Sequence, residues 1–391
     1  MMIDTAMTLD LPSDENIFAF VRKGPVPICN EHVSTHLRLH FPGYRMETID
    51  LTSWLRSRRD ILAFALIAAF RAYGTSILKQ RKPVKECLWR TLYLNQKVKQ
   101  LMARKAKQTP YAFTFQMQSL FDASVPGTPH FLYTDHTNLA NRHYPQVADN
   151  VFYPQHSRLV EQAVYDHASG IFTRSRHVTQ SVIEDYHTDP AKVHCVYAGS
   201  NVPLDDMAPL DNAGYTNKHI LFVGIDWDRK GGPELAAAFA KILAVHPDAH
   251  LTIVGAAPEL NLPNCHVVGR VAAQDLNAYY RRASIFCLPT KREPFGIVFI
   301  EALAHQLPIV GTDIGAIPDF VEHGANGYLV PPFDVPALAE ALLKLLDSPE
   351  QCRRFGAYGK THIFTRYNWE HVAANMASHM RQVLDAHTVV Y

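Results

Sequence analysis

The sequence predicts an α/β protein of two Rossmann-like domains, the first of which carries a helical insert. Three observations predict it. From His219 onward, apolar runs of strand length alternate with segments of helical periodicity, the pattern of a parallel sheet with crossover helices. A less regular version of the same alternation runs from Ile17 to Tyr197. Between them, Asn201 to Thr216 is polar and rich in Pro, Asp, Asn and Gly, the composition of a linker. A chain of 391 residues is also long for one core.

In the first half, strands are expected at 17–21, 46–51, 111–115, 130–134, 170–173 and 193–197. Helices are expected at 30–41, 155–167 and 177–186, with a long helical insert over 53–107. The second half reads as strands at 220–224, 250–255, 265–269, 284–288, 308–311 and 327–330. Its helices fall at 232–245, 274–282, 297–305, 316–323 and 335–347, and an amphipathic tail runs from Tyr367 to Val383. No internal repeat or low-complexity tract stands out.

A hydrophobic content of 47 % with 19 % charged residues fits a soluble globular protein. The formal net charge of +1 names no partner, but its distribution does. Between Thr52 and Lys107, fourteen Lys or Arg face two acids, Asp60 and Glu86, so this segment carries +12 and the rest −11. Such asymmetry suggests an anionic partner for the basic part. Six cysteines without a C-x-x-C pair read as reduced, mostly buried thiols of a cytosolic protein. The N-terminus lacks the basic start and apolar stretch of a signal peptide. The longest apolar run, 61–70, is short of the roughly 20 residues of a bilayer span. The protein is therefore expected to be soluble, or to lie on a membrane without crossing it.

The most informative stretch is Lys291-Arg-Glu-Pro-Phe-Gly-Ile-Val-Phe-Ile-Glu301. It follows a buried strand ending near Pro289, so Glu293 belongs in a loop at a strand's carboxyl end, where open α/β sheets bind ligands. Glu301 lies in the helix that follows. The start of that helix leaves the backbone N–H groups of Phe295, Gly296, Ile297 and Val298 free to hold a phosphate. Two carboxylates flanking a phosphate site describe a ligand with hydroxyls at both ends, such as a nucleotide-sugar. The plainer alternative is a helix N-terminus with acids favouring its dipole, but Glu301 lies past the first turn, where that argument fades.

This segment resembles the E-x7-E motif of retaining glycosyltransferases of family 4, which have the GT-B fold. The resemblance is strong from about 155 to 370 and weak to absent from 1 to 130. It implies two domains facing a cleft: an acceptor-side domain over 1–205 and a nucleotide-sugar donor domain over 206–369. A C-terminal helix, 370–391, returns to the first domain. It implies that Glu293 binds donor-sugar hydroxyls and Glu301 the ribose, and that a hexose moves to a hydroxyl acceptor on a glycan, a lipid or a small molecule. The donor is a nucleotide-sugar such as a UDP- or GDP-hexose, and no metal or other cofactor is required.

Other loops join the same reading. Gly224-Ile-Asp-Trp-Asp-Arg-Lys-Gly-Gly232 follows a strand, with Lys230 a point charge for a diphosphate and Arg229 a bidentate grip. Gly231 and Gly232 there permit close backbone approach. The family's usual Arg is replaced by Ile225, while Lys230 matches residue for residue. In Thr312-Asp-Ile-Gly-Ala-Ile-Pro318, the amides of Gly315, Ala316 and Ile317 are candidates for the phosphates. Backbone at Arg270 and Val271 matches the family's frame for the base. His136, at a strand end, resembles the family histidine that faces the sugar, where it can donate to a hydroxyl or steady developing charge. Arg174 and Arg176 end another strand and are weaker candidates for phosphate or acceptor. His32, His36 and His40 share one helical face, which reads as a solvated or half-buried face, with no carboxylate or Cys to complete a metal site. The family's Gly-Gly loop is replaced by Gly24-Pro-Val-Pro27.

Within the insert, Arg90, Lys97 and Arg104 share heptad spacing opposite Leu88, Leu92, Val98, Leu101 and Met102. That pattern suits a helix on anionic lipid and equally a helix packed on the domain core. The expected partners are thus a nucleotide-sugar, a hydroxyl acceptor and an anionic membrane surface at the inner face of the membrane, with no nucleic acid. A nucleotide-sugar epimerase and a non-catalytic nucleotide-sugar-binding protein remain the alternatives.

Overall fold

The computed structural model describes residues 16–24, 29–148, 151–200 and 212–388. Its strands form two six-stranded sheets, all of whose neighbours are parallel. The first contains β1 (Ile17–Arg22), β2 (Arg45–Asp50), β3 (Tyr111–Met117), β4 (His130–Thr134), β5 (Gly170–Thr173) and β6 (Val193–Cys195). The second contains β7 (His219–Gly224), β8 (His250–Gly255), β9 (Cys265–Gly269), β10 (Ile285–Leu288), β11 (Ile309–Thr312) and β12 (Gly327–Val330). The orders are β2-β1-β3-β4-β5-β6 and β12-β11-β10-β7-β8-β9. Each sheet therefore reverses direction next to its first strand, between β1 and β3 and between β7 and β10. Those are the crevices where doubly wound sheets take ligands.

Parallel strands covered on both faces must be apolar throughout. Phe18, Phe113, Phe131 and Phe172 accordingly form one buried aromatic run across the first sheet, with Phe18 stacked on Phe113 at 4.6 Å. The edge strands β2 and β9 depart from this: Arg45 and Thr48 are exposed on the first, and His266, Val267 and Val268 on the second.

The covering helices begin with α1 (Cys29–His40). The insert between β2 and β3 is four helices, α2 (Leu51–Ser57), α3 (Arg59–Leu78), α4 (Val84–Trp89) and α5 (Leu92–Gln108). Caps divide it: the Asp50 carboxylate accepts from Ser53 N at 2.9 Å, and the Thr91 hydroxyl from Leu94 N at 3.2 Å. Leu94, Val98, Leu101 and Met102 of α5 join Ile61, Ala65, Ala69 and Tyr73 of α3 in one core with Ile17, Ala19 and Val21 of β1. The basic residues do not share one outer face. Arg90 turns inward against the Tyr153 ring, at 3.9 Å, while Lys97 and Arg104 stay outside on α5.

A second departure concerns α3. Helix formation continues through Arg71 to Leu78, giving a 20-residue helix with an 18-residue window of mean hydropathy 1.8, long and apolar enough to cross a membrane by length and composition. Only 22 % of its apolar window is buried, and Phe64, Ile67, Phe70 and Leu78 are exposed along the outer face. The inner face is docked, with Tyr73 donating to the Arg90 carbonyl at 2.9 Å.

Helices α6 (Gln155–His167) and α7 (Arg176–Glu184) complete the first domain. Most of the expected linker, residues 201–211, lies outside the described residues. Its last part is the short helix α8 (Asn212–Thr216), held to the second domain by Ser284, which donates to the Gly214 carbonyl at 2.7 Å. The second domain adds α9 (Gly232–Leu243), α10 (Leu276–Arg282), α11 (Ile297–Ala304), α12 (Val335–Leu346) and α13 (Pro349–Tyr358). The helix expected over 316–323 is a single 3-10 turn, Ile317–Asp319. Pro318 removes one N–H, and the Asn326 amide binds the Phe320 carbonyl and the Glu322 N–H at 2.8 and 2.7 Å, closing the turn instead.

The last helix, α14 (Trp369–Thr388), packs on α1, where Arg381 donates to the His40 carbonyl at 2.7 Å. The α1 histidines face it. His32 stacks on Trp369 at 5.3 Å, and His36 and His40 lie 3.4 and 3.5 Å from the Glu370 carboxylate. Across the cleft, Ser175 donates to the Pro294 carbonyl at 3.1 Å and the Arg176 N–H to Asp319 at 2.9 Å.

Candidate active site

The loops after β7 and β10 meet at the second sheet's reversal point. Gly231 makes the first approach possible: it has φ +75°, and a Cβ there would lie 1.9 Å from the Pro289 carbonyl oxygen. This close contact aims Lys230 at Glu293, and the two side chains form a buried ion pair and hydrogen bond. Arg229 is steadied by Asp226 and by the Arg292 carbonyl, both at 3.0 Å, so part of its fork is already occupied.

Glu293 is 5 % exposed. Its backbone carbonyl accepts from Ala316 N at 3.0 Å. The Ala316 amide, expected at the phosphates, is thus committed to holding the Glu293 loop, and the Ile317 amide to the Ile314 carbonyl at 3.1 Å. Gly315 is needed for proximity: a Cβ would lie 2.4 Å from the Glu293 carbonyl oxygen and 2.8 Å from the Tyr144 ring. Tyr144 comes from the first domain, and its buried hydroxyl has no partner among the described residues. Burial, then the Glu293 charge, pushes this phenol far up.

Beyond Glu293, α11 opens on Gly296 with no side-chain cap. Phe299 N is the first to find a backbone acceptor, the Gly296 carbonyl at 3.0 Å. Among the described residues, the N–H groups of Phe295, Gly296, Ile297 and Val298 have none. A helix start with free N–H groups of this kind is able to accept an anion.

A cavity of about 570 Å³ joins the domains. Glu293, Arg229 and Arg292 line it from the second domain, and His136, Asn138, Asn141, Tyr153 and Arg90 from the first. Asn141 Nδ2 donates to the Asn138 carbonyl at 2.9 Å and reaches His136 Nε2 at 3.1 Å, which makes Nε2 the acceptor and leaves the proton on Nδ1. That Nδ1 is buried without a partner among the described residues. Burial lowers the His136 pKa to about 4, with His177, Arg90 and Arg292 adding to the effect and Asp135 opposing it. The ring is a neutral donor at pH 7.

The structure does not bring every expected residue here. Glu301 lies further along α11, where its carboxylate accepts from the Tyr280 hydroxyl at 2.9 Å, and it is not among the residues lining the cavity. Burial raises its pKa to about 7 against the opposing Tyr280 bond. Arg270 is exposed beyond β9, and neither it nor Val271 lines the cavity. Arg176 is spent on Asp319 as an interdomain strut, and Arg174 on Cys29 Sγ at 3.2 Å. Conversely, sequence reasoning missed Tyr144, Asn138, Asn141, Tyr153, Arg292 and Tyr280. The segment after β4 offers no periodicity, so only its nearness to His136 could have marked it.

Residues 217–348 match the family model described as glycosyl transferases group 1. The second domain is a glycosyl transferases group 1 domain. Among curated proteins, the chain is 28 % identical over 259 residues to spore coat protein SA of Bacillus subtilis (strain 168), covering 58 % of this chain and 68 % of that one. It is 34 % identical over 190 residues to phosphatidyl-myo-inositol mannosyltransferase of Mycobacterium leprae (strain TN), covering 46 % and 50 %. The chain thus spans two thirds of the first relative's length and half of the second's. Among solved structures, the sucrose-phosphate synthase of Thermosynechococcus elongatus superposes with a TM-score of 0.68 at 19 % identity, over 95 % of this chain and 100 % of that one. Anabaena Alr3699/HepE in complex with UDP-glucose gives 0.63 at 16 %, over 94 % and 99 %. These likenesses show the fold, GT-B, with two Rossmann-like domains.

Proposed function

We propose that the chain is a retaining glycosyltransferase that moves a hexose from a nucleoside-diphosphate sugar to a hydroxyl acceptor without a metal ion. The observation that carries the reading is the Lys230–Glu293 pair, in which Glu293 lines the interdomain cavity and Lys230 stands behind it, followed in the chain by four unpartnered amides at the start of α11. A diphosphate sugar supplies each half of that pair with a new partner, phosphate oxygens for Lys230 and sugar hydroxyls for Glu293. A relative named for mannosyl transfer and a structural neighbour holding UDP-glucose agree with that ligand class.

In the reaction, the bond from C1 of the sugar to the diphosphate oxygen breaks as the acceptor oxygen bonds to C1 from the same face. The acceptor proton passes to the departing phosphate, and the nucleoside diphosphate leaves. Negative charge grows on the leaving group, where Lys230, Arg229 and the α11 amides stabilise it. His136 donates through Nδ1–H to the sugar. Glu301 accepts from the ribose once Tyr280 shares or yields its bond.

We also place the protein at the inner face of a membrane. The exposed α3 residues Phe64, Ile67, Phe70 and Leu78 supply the apolar contact, and Arg56, Arg59, Lys79 and Arg81 flank them for anionic headgroups.

The test is a thermal-shift screen with nucleotide-sugars, followed by transfer with the best donor in EDTA and assignment of the product's anomeric configuration. A native-state ligand raises the melting temperature with affinity. Inverted product, a strict metal requirement, or donor turnover without an acceptor would each overturn part of the reading, the last in favour of an epimerase.

A further inference from the structure

The cavity that holds Glu293 and Arg229 is also lined by Arg81, Lys82 and Arg90, from the segment joining α3 to α5. Lys82 is 8 % exposed. Its ammonium donates to the Val151 carbonyl at 3.2 Å and lies 3.8 Å from the centre of the Tyr153 ring, the same ring that carries the Arg90 guanidinium. Arg90 also lines an adjoining cavity of about 260 Å³ together with Lys23, which follows β1. Glu86 stands among these cations, its carboxylate accepting from the Tyr153 hydroxyl at 2.8 Å, and Asp135 and Glu161 also line the adjoining cavity. Among the described residues, Lys23, Lys82 and Arg90 have no ion-pair partner.

Cations gathered this closely, with Glu86 offsetting only part of their charge, raise one another's energy, and burial adds to the cost. The ammonium groups show it. Lys23 and Lys82 are both lowered, first by burial and then by neighbouring cations that include Arg90, with Glu86 opposing at both. Segments from β1, from the insert and from the chain before α6 converge to build this cluster, all on the first domain. The donor diphosphate is served from the second domain by Lys230, Arg229 and the α11 amides, so this cluster faces the other substrate.

We propose that Lys82 and Arg90, with Lys23 beside them, form a phosphate site for the acceptor, so that the sugar is moved to a hydroxyl of a phosphate-bearing alcohol. The inference rests on the transferase reading of the cavity. Phosphate fits better than a carboxylate because it carries nearly two charges, accepts the Arg fork bidentately and leaves an oxygen for a Lys point charge.

The test saturates the donor site with whichever nucleoside diphosphate binds, then titrates glycerol and glycerol 3-phosphate by calorimetry. Glycerol 3-phosphate should bind and glycerol should not. Arg90→Gln and Lys82→Met should each weaken it about tenfold, the loss of one charge-assisted contact, with nucleoside diphosphate affinity unchanged. Should Lys82→Met fail to fold, the half-buried Arg90→Gln and the charge-keeping Lys82→Arg still decide the matter. Equal affinity for both alcohols, or no weakening in Arg90→Gln, overturns the site. Phosphatidylcholine vesicles with and without phosphatidylglycerol separate the sources. Displacement of glycerol 3-phosphate only by the anionic vesicles identifies a lipid headgroup, and binding without displacement identifies a free phosphate ester. Either outcome supports the site, and absence of both kinds of binding overturns it. Failure of any nucleoside diphosphate to bind would instead sink the transferase reading, while the phosphate titration without nucleotide still judges the cluster.

Discussion

Breaking the Lys230–Glu293 pair from either side should have opposite consequences for nucleotide binding and similar ones for stability. Both side chains are nearly inaccessible, at 12 % and 6 % exposure. Removing one member of a fully buried pair costs about 3–5 kcal/mol, because the other charge is stranded. The residual exposure of Lys230 lets water reach it, so roughly 2–4 kcal/mol is the better figure. For a domain of this size that lowers the melting temperature by roughly 5–15 °C. Glu293→Gln and Lys230→Met should each show that loss, and the double substitution should recover most of it, since two neutral groups strand no charge. Glu293→Ala, which the motif alone would treat as harmless to the fold, should be destabilising for the same reason. Nucleoside diphosphate affinity should collapse in Lys230→Met but hold or rise in Glu293→Gln, where the ammonium is released from its acid. Transfer should fall at least about 100-fold in both. The assays are thermal melts, calorimetric titration of the nucleotide and turnover. Single substitutions that melt like the parent, with an additive double, would refute the ion pair as a structural element. Lower nucleotide affinity in Glu293→Gln would refute the division of roles.

His136→Asn should reduce transfer by about 100-fold while leaving nucleoside diphosphate affinity unchanged. Because its pKa is lowered to about 4, the pH profile between 5 and 8 should carry no inflection from it, and an inflection abolished by His136→Asn would contradict the neutral donor. Glu301 has its folded pKa raised to about 7, so the stability this group supports is present below about pH 4.5 and is lost as pH rises through 7. Glu301→Gln should flatten that decline in pH-dependent melts and weaken nucleotide binding; an unchanged slope counts against the buried carboxyl. Vesicles containing anionic lipid should sediment the protein at low salt. Phe64, Ile67 and Phe70 changed together to Ser should abolish this, and Lys97 with Arg104 changed to Glu should weaken it. Equal sedimentation with neutral vesicles would remove the anionic surface.

The sequence by itself determined the parts that depend on neighbours along the chain. The βα alternation is legible because buried parallel strands read as apolar runs and their helices as 3.6-residue periods. Glu293 and Lys230 are legible because short loops at strand ends carry their type and spacing within a few residues. The same local logic failed at 316–323, where Asn326 closes a turn from beyond the segment, and on α3, whose helix continues past the apolar run that was measured. Tertiary structure alone decided which loops share a crevice, because sheet order places β10 beside β7. It paired Lys230 with Glu293 and turned Arg176 into a strut on Asp319. It also drew Arg90 out of an apparent surface stripe and against Tyr153. These are pairings between residues far apart in the chain. Periodicity reports the face a residue occupies on its own element, and carries no information about which distant charge that face will meet.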